Sequence, residues 1–72
     1  MCGVVLFFTS SAALRSEKLL LQGGLTARLI PTPREFSSDC GMALRFDWID
    51  EQRVRALLNS ANVEISSIRK LN

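Results

Sequence analysis

Apolar residues follow two kinds of spacing along this 72-residue chain, and the order of the two kinds limits the folds it can adopt. Residues 3–8 have no polar side chain, and a glycine is followed by β-branched, leucine and aromatic residues, which is typical of a strand buried on both faces. Residues 25–30 and 42–46 alternate between two sets of side chains, as strands with one more buried face do. These patterns predict three strands.

Two other stretches have the features of helices. The first helix is predicted over residues 11–22. Three hydroxyl side chains at positions 9–11 can cap its N-terminus, and the glycine pair 23–24 suits a left-handed C-cap at its end. Asp50 can cap a second helix. Its apolar side chains fall at i, i+3, i+4 and i+7, and are Val54, Leu57, Leu58 and Ala61.

Residues 63–71 supply a fourth strand, so the elements follow the order β-α-β-β-α-β. For a single domain spanning residues 1–72, this order predicts an α+β ferredoxin-like sandwich. Two helices would cover one face of a four-stranded antiparallel sheet with strand order 4-1-3-2. Trp48 is expected to close the core at the start of the second helix.

The predicted topology separates the two cysteines. Strands 1 and 3 are antiparallel neighbours, and Cys2 and Cys40 each begin one of them, so the two thiols lie at opposite ends of the sheet, roughly 20 Å apart. A disulfide spans about 4.4–6.8 Å between Cα atoms, which excludes a bond between them. The chain has no histidine, and two thiols cannot complete a four-ligand zinc site. No metal or other cofactor is predicted.

Charge and hydropathy exclude several classes of protein. A net charge of +2 and a pI near 8.9 are too mild to indicate nucleic-acid binding. No apolar stretch approaches the ~20 residues of a membrane-spanning helix. The first apolar run lacks a basic leader and is shorter than the ~7–15 residues of a signal sequence, so we interpret it as a buried strand of a cytoplasmic protein.

The small core favours self-association, and we predict a homodimer. Val5, Phe7 and Ile30 are expected to lie exposed on the sheet face away from the helices, where they would form its interface. Arg28 and Arg45 should share that face. An RNA-binding sheet would also use this face, but the aromatic pattern of such sheets is absent.

Cys40 is the candidate reactive residue. It lies between a polar turn and an apolar strand, and Gly41 would let the backbone bend beside it. The loop carrying Pro31, Pro33 and Arg34 should meet the start of helix 1 at the same edge of the sheet. Cys40 would then be accessible there. Cys2, next to the first methionine, is expected to be inert.

Helix 1 and the loop supply groups that would stabilise a thiolate. Thr9, Ser10 and Ser11 at the helix N-terminus would face Cys40, and Arg34 would add a positive charge. The neighbouring Asp39 acts in the opposite direction. Arg34 has two other interpretations, namely an ion pair with an adjacent carboxylate or simple solvation. Cys40 also has a second interpretation, as a small apolar residue under a turn.

Residues 28–46 carry the motif that is most specific to a family. They read R-L-I-P-T-P-R-E-F-S-S-D-C-G-M-A-L-R-F. This closely resembles the R-L-I-P-x-P-R-E, serine, C-G-x-A-L-R-F pattern of the putative selenium/sulfur carrier protein-like family of small bacterial proteins. The matching positions are Pro31, Pro33, Arg34, Glu35, Ser37, Ser38, Cys40, Gly41 and Arg45. Asp39 departs from the small polar residue common there, and the Cys-Pro-x-Pro helix start of better-known sulfur carriers is absent.

The resemblance implies a function. Cys40 would hold sulfur or selenium as a persulfide or selenosulfide, receive it from a cysteine desulfurase or another sulfur-relay protein, and pass it on. Such a protein is a carrier rather than a stand-alone enzyme. The alternative is a non-catalytic ferredoxin-like adaptor or ligand-sensing module with a structural Cys40.

Overall fold

The computed structural model describes residues 1–36 and 40–71 and confirms the predicted order of elements. Within those residues it contains four strands, two α-helices and one 3₁₀ turn at Trp48–Asp50. The strands and helices are β1 (Cys2–Leu6), α1 (Ser10–Gln22), β2 (Ala27–Pro31), β3 (Met42–Asp47), α2 (Glu51–Ser60) and β4 (Ser67–Leu71).

The four strands form one antiparallel sheet in the order β2-β3-β1-β4, which is the predicted order read from the other edge. In the central pair, Cys2 lies opposite Asp47 and Leu6 lies opposite Ala43. The start of β1 therefore meets the end of β3. Together with the two helices, this sheet gives an α+β ferredoxin-like fold.

Helix α1 begins and ends as its sequence predicts. The Thr9 side chain accepts a hydrogen bond from the Ala12 backbone N–H at 3.2 Å, which caps the N-terminus. Gly24 has φ +82°, and the Leu25 N–H donates to the Leu20 carbonyl at 2.9 Å. This is the Schellman arrangement, in which a residue without Cβ takes the left-handed position.

The start of α2 differs in detail from the prediction. Asp50 occupies the N-cap position, but its side chain makes no capping hydrogen bond. The chain enters α2 directly from the 3₁₀ turn, so Asp50 has φ −94° and ψ 10° instead of the extended backbone that capping side chains usually accompany.

The last strand is shorter than predicted, because residues 63–66 do not belong to it. The Val63 N–H donates to the Leu58 carbonyl at 3.0 Å, and Asn62 has φ 57°, so Asn62 and Val63 complete the C-terminal turn of α2. The Ser66 N–H already donates to the Leu6 carbonyl of β1 at 2.7 Å. Val63 and Ile65 nevertheless pack against the core.

The side chains of residues 4–7 lie on the opposite faces of the sheet from those predicted, as if the alternation were shifted by one residue. Val5 and Phe7 are fully buried between the sheet and the helices, whereas Val4 and Leu6 lie on the other side. Ile30 lies on that other side, as predicted. We call this side the open face. Its strand side chains, taken from the register, are Cys2, Val4, Leu6, Arg28, Ile30, Ala43, Arg45, Asp47, Ser67, Arg69 and Leu71.

The error has a simple cause. Residues 4–7 are all apolar, so hydrophobic alternation cannot tell which of them face the helices. The prediction that Val5 and Phe7 form an exposed apolar dimer interface is therefore wrong. Arg28 and Arg45 do share the open face, as predicted.

Gly3 packs closely against the rings of Phe46 and Trp48 on the helix-covered face. A Cβ built on Gly3 would lie 2.6 Å from ring atoms of both Phe46 and Trp48, so the strand needs a glycine there. The two rings stack with centroids 5.9 Å apart, and Trp48 packs against the core at the entry to α2, as predicted. Neither α1 nor α2 is long and apolar enough to cross a membrane.

Candidate functional site

Cys40 lies two residues before β3 and is buried, with 4% of its surface exposed. It belongs to the core cluster on the helix-covered face together with Phe7 and Ala13. The prediction of an accessible thiol is therefore wrong. Cys40, Met42 and Leu44 are spaced two residues apart, so their side chains lie on the same face, and all three pack in or against this core. Helix α1 covers that end of the sheet.

The first turn of α1 does reach Cys40, through one of the three predicted hydroxyls. Ser10 Oγ lies 3.9 Å from Cys40 Sγ, a long hydrogen bond in which either atom can donate. The Thr9 hydroxyl instead caps the helix, and the Ser11 side chain is exposed, with no hydrogen bond from its hydroxyl to any described residue. The predicted convergence of helix start and thiol holds for Ser10.

Thr32 fixes the backbone of Cys40. Its N–H donates to the Gly41 carbonyl at 3.0 Å, and its hydroxyl donates to the Cys40 carbonyl at 3.0 Å. Both ends of the loop that follows Pro31 are thereby joined. Thr32 was not among the predicted site residues. Its signal in the sequence is a hydroxyl residue between two prolines, beside a strand end.

Arg34 does not act on Cys40 through a direct contact. The Phe36 N–H donates to the Pro33 carbonyl at 3.0 Å, and Arg34 is exposed in the turn this bond closes. Arg34 makes no hydrogen bond or ion pair with any described residue, which agrees with the solvated interpretation. The predicted site residues Ser37 and Ser38, and also Asp39, lie outside the described residues.

Gly41 has a different role from the predicted one. Its φ is not in the positive region, and a Cβ built on it would meet no atom within 4 Å. The backbone therefore does not require glycine here. What the glycine leaves is open space beside Cys40.

The other thiol has a charged partner that the sequence analysis missed. Cys2 is half-buried on the open face, and its Sγ accepts hydrogen bonds from Arg45 Nε at 3.2 Å and from Arg45 Nη2 at 3.0 Å. These bonds raise the pKa of the Arg45 guanidinium, and its electrostatic attraction to Cys2 and to Asp47 adds to the effect. The strand register was the missing signal, because it places Arg45 diagonally across from Cys2.

Neither cysteine is in a disulfide, and the two sulfurs lie in different surroundings. Cys40 packs in the core beside the Ser10 hydroxyl, while Cys2 is held by a guanidinium at the other end of β1. Among residues 1–36 and 40–71, no group of three or more Cys, Asp or Glu side chains could hold a metal ion. What either thiol can do by itself is bind a small group covalently on sulfur.

The chain matches a model of a protein family. The family described as "Putative Se/S carrier protein-like" matches residues 2–70, which include both thiols and nearly all of the sheet. No curated protein and no solved structure matches the chain.

Proposed function

The chain belongs to the Putative Se/S carrier protein-like family, and on that basis we propose that Cys40 carries sulfur or selenium for transfer to a partner protein. The observation that supports Cys40 most directly is its position at the N-terminus of α1, with Ser10 Oγ 3.9 Å from its sulfur. Unpaired N–H groups at a helix N-terminus favour an anion, and a persulfide is an anion at neutral pH.

The loading step is an exchange at sulfur. The Cys40 thiolate attacks the terminal sulfur of a persulfide on a donor protein, forming a new S–S bond to Cys40. The bond between that sulfur and the donor cysteine breaks, and the donor cysteine leaves as a thiolate. The Cys40 proton goes to water, and no external oxidant or reductant is consumed. Selenium transferred from an equivalent selenosulfide follows the same balance.

Burial of Cys40 gives this proposal a specific form. A persulfide held where the thiol is 4% exposed would be shielded from thiols in solution. Loading and unloading then require local opening at this end of the sheet, which folded proteins undergo at a cost below that of global unfolding. A partner that favours the open state would couple transfer to docking.

The donor we propose is a cysteine desulfurase or another sulfur-relay protein, acting in the cytoplasm, where thiols stay reduced. A homodimer remains part of the proposal, but its interface is not the apolar face first predicted, because Val5 and Phe7 are buried under the helices. Sedimentation velocity at about 100 μM tests the dimer, for which a clean monomer is the contrary result.

Burial also favours a second candidate function, a non-catalytic adaptor in which Cys40 is structural. A free cysteine that packs with Phe7 and Ala13 behaves as a small hydrophobic residue. The two functions differ in one property, namely whether the Cys40 sulfur accepts a second chalcogen atom.

Mass spectrometry of the protein co-expressed with a cysteine desulfurase separates the two functions. We expect a one-sulfur adduct on intact protein and on the Cys2→Ser variant, and none on Cys40→Ser. An adduct confined to Cys2 would move the carrier function to the other thiol. Absence of any adduct, with the desulfurase shown to be active, would favour the adaptor.

A further inference from the structure

Three arginines form a row across the open face. In the register of the sheet, Arg28 lies opposite Arg45, Arg45 lies opposite Val4, and Val4 lies opposite Arg69. Residues directly opposite one another project to the same side of a sheet. The row therefore crosses all four strands, a span of about 14 Å at ~4.8 Å per strand. All three arginine side chains are exposed.

The row of arginines is expected to lower the stability of the protein when no partner is bound. Like charges directly opposite each other destabilise a strand pair, and Arg28 and Arg45 are such a pair. One carboxylate, Asp47, shares the open face within the described strands. Across residues 1–36 and 40–71 the structure shows a single ion pair, between Arg55 and Glu51 on α2. None of the three arginines therefore forms an ion pair with a described carboxylate. Asp47 attracts Arg45, and Glu35 lines the same surface hollow as Arg69, so the row keeps a reduced but net positive charge.

The surface between the arginines offers little apolar area to a partner. Val4, Leu6 and Ala43 are at most 2% exposed, and the half-buried Phe36 packs against them. The Arg69 guanidinium lies 5.8 Å from the centroid of the Phe36 ring, a cation–π contact. The apolar side chains that remain partly exposed on this face are Ile30, Phe36 and Leu71, and its three arginines are exposed charged groups.

We propose that the open face is the docking surface for an acidic surface of a partner protein. Each guanidinium can donate two parallel hydrogen bonds to a carboxylate, and the row presents three such donors on a rigid sheet. The proposal does not depend on Cys40 or on chalcogen transfer. A nucleic acid fits less well, because the net charge is +2 and neither β1 nor β3 presents an aromatic side chain on this face.

A glutamate decapeptide is a suitable probe, with a glutamine decapeptide as its uncharged control. We expect the glutamate peptide to shift the NMR signals of the Nε–H groups of Arg28, Arg45 and Arg69, and its affinity to fall as salt rises. The variant Arg28→Gln/Arg45→Gln/Arg69→Gln should weaken binding about tenfold or more, since each exposed charge pair contributes a modest factor.

The matched control removes the same charge from the helices. In Lys18→Gln/Arg53→Gln/Arg55→Gln we expect binding to weaken less than about threefold, through net charge alone. Circular dichroism checks that both variants are folded. If the open-face triple variant does not fold, Arg28→Gln alone serves, because it relieves the like-charge pair, and it should weaken binding about twofold to threefold.

Three results would overturn the proposal. One is no binding of the glutamate peptide at low salt. Another is equal loss in the open-face and helix variants, which would indicate net charge without a site. The last is tighter binding of a single-stranded RNA decamer than of the peptide, which would assign the open face to nucleic acid.

Discussion

The two faces of the sheet give the two thiols opposite environments. The helix-covered face is apolar and encloses Cys40, whose sulfur lies 3.9 Å from the Ser10 hydroxyl. The open face carries three arginines, and one of them, Arg45, holds Cys2 at 3.0 and 3.2 Å. One thiol is shielded and the other is partly exposed beside a cation.

The difference shows that a motif and a reactive environment need not coincide. The family motif includes both Cys40 and Arg45, yet the guanidinium of Arg45 lies beside Cys2 and makes no contact with Cys40 that the structure identifies. For a carrier this division has a physical logic. A shielded sulfur retains its cargo, and an exposed charged face can be recognised without exposing that cargo.

The largest expected loss of stability comes from replacing Phe7, which is buried on the helix-covered face. Phe7→Ala should lower the free energy of unfolding by about 3–5 kcal/mol, because the ring is fully buried. Phe8→Ala is the control, since Phe8 is 44% exposed and should change stability by about 0.5 kcal/mol or less. Urea denaturation measures both. Similar losses for the two variants would contradict the assignment of faces.

The close approach at Gly3 should be the next most sensitive feature. Gly3→Ala forces a methyl group against the stacked rings of Phe46 and Trp48, and we expect a loss of about 1–3 kcal/mol. Gly41→Ala adds the same methyl group where no atom lies within 4 Å, so it should be nearly neutral. A neutral Gly3→Ala in thermal or urea unfolding would show that the rings move aside freely.

Thiol alkylation compares the two faces directly. In the folded protein we expect Cys2 to react with iodoacetamide at least about tenfold faster than Cys40, a ratio that a local opening cost of about 1.4 kcal/mol produces. Rates from Cys2→Ser and Cys40→Ser isolate each thiol, and in urea the two rates should become similar. Faster reaction at Cys40 under native conditions would mean that its end of the sheet is open most of the time.

The smallest effect tests the charge beside Cys2. Arg45→Gln removes the guanidinium that donates to the sulfur and should slow alkylation of Cys2 about twofold to fivefold at neutral pH. Arg28→Gln, one strand further away, is the matched control and should change the rate less. Equal slowing by both variants would attribute the effect to the general positive charge of the face.

The order of elements and the helix ends could be predicted from the sequence because they depend on local rules. Thr9 begins α1 and Gly24 ends it through interactions within one turn of the chain. The alternation in β3 likewise identified which of its residues face the helices. Once the topology was inferred, the separation of Cys2 from Cys40 followed from strand direction alone.

What the tertiary structure decided depends on contacts between distant residues. The apolar run of β1 fits either face, and only packing against α1 and α2 places Phe7 inside. Burial of Cys40 depends on where α1 lies over the sheet. The Arg45–Cys2 pair joins residues 43 positions apart, and the arginine row joins three strands. Alternation along a strand places a residue on one face, as it did for Arg28 and Arg45. It does not say which residues of two strands lie opposite each other, because register also depends on turn geometry and on packing of the buried face.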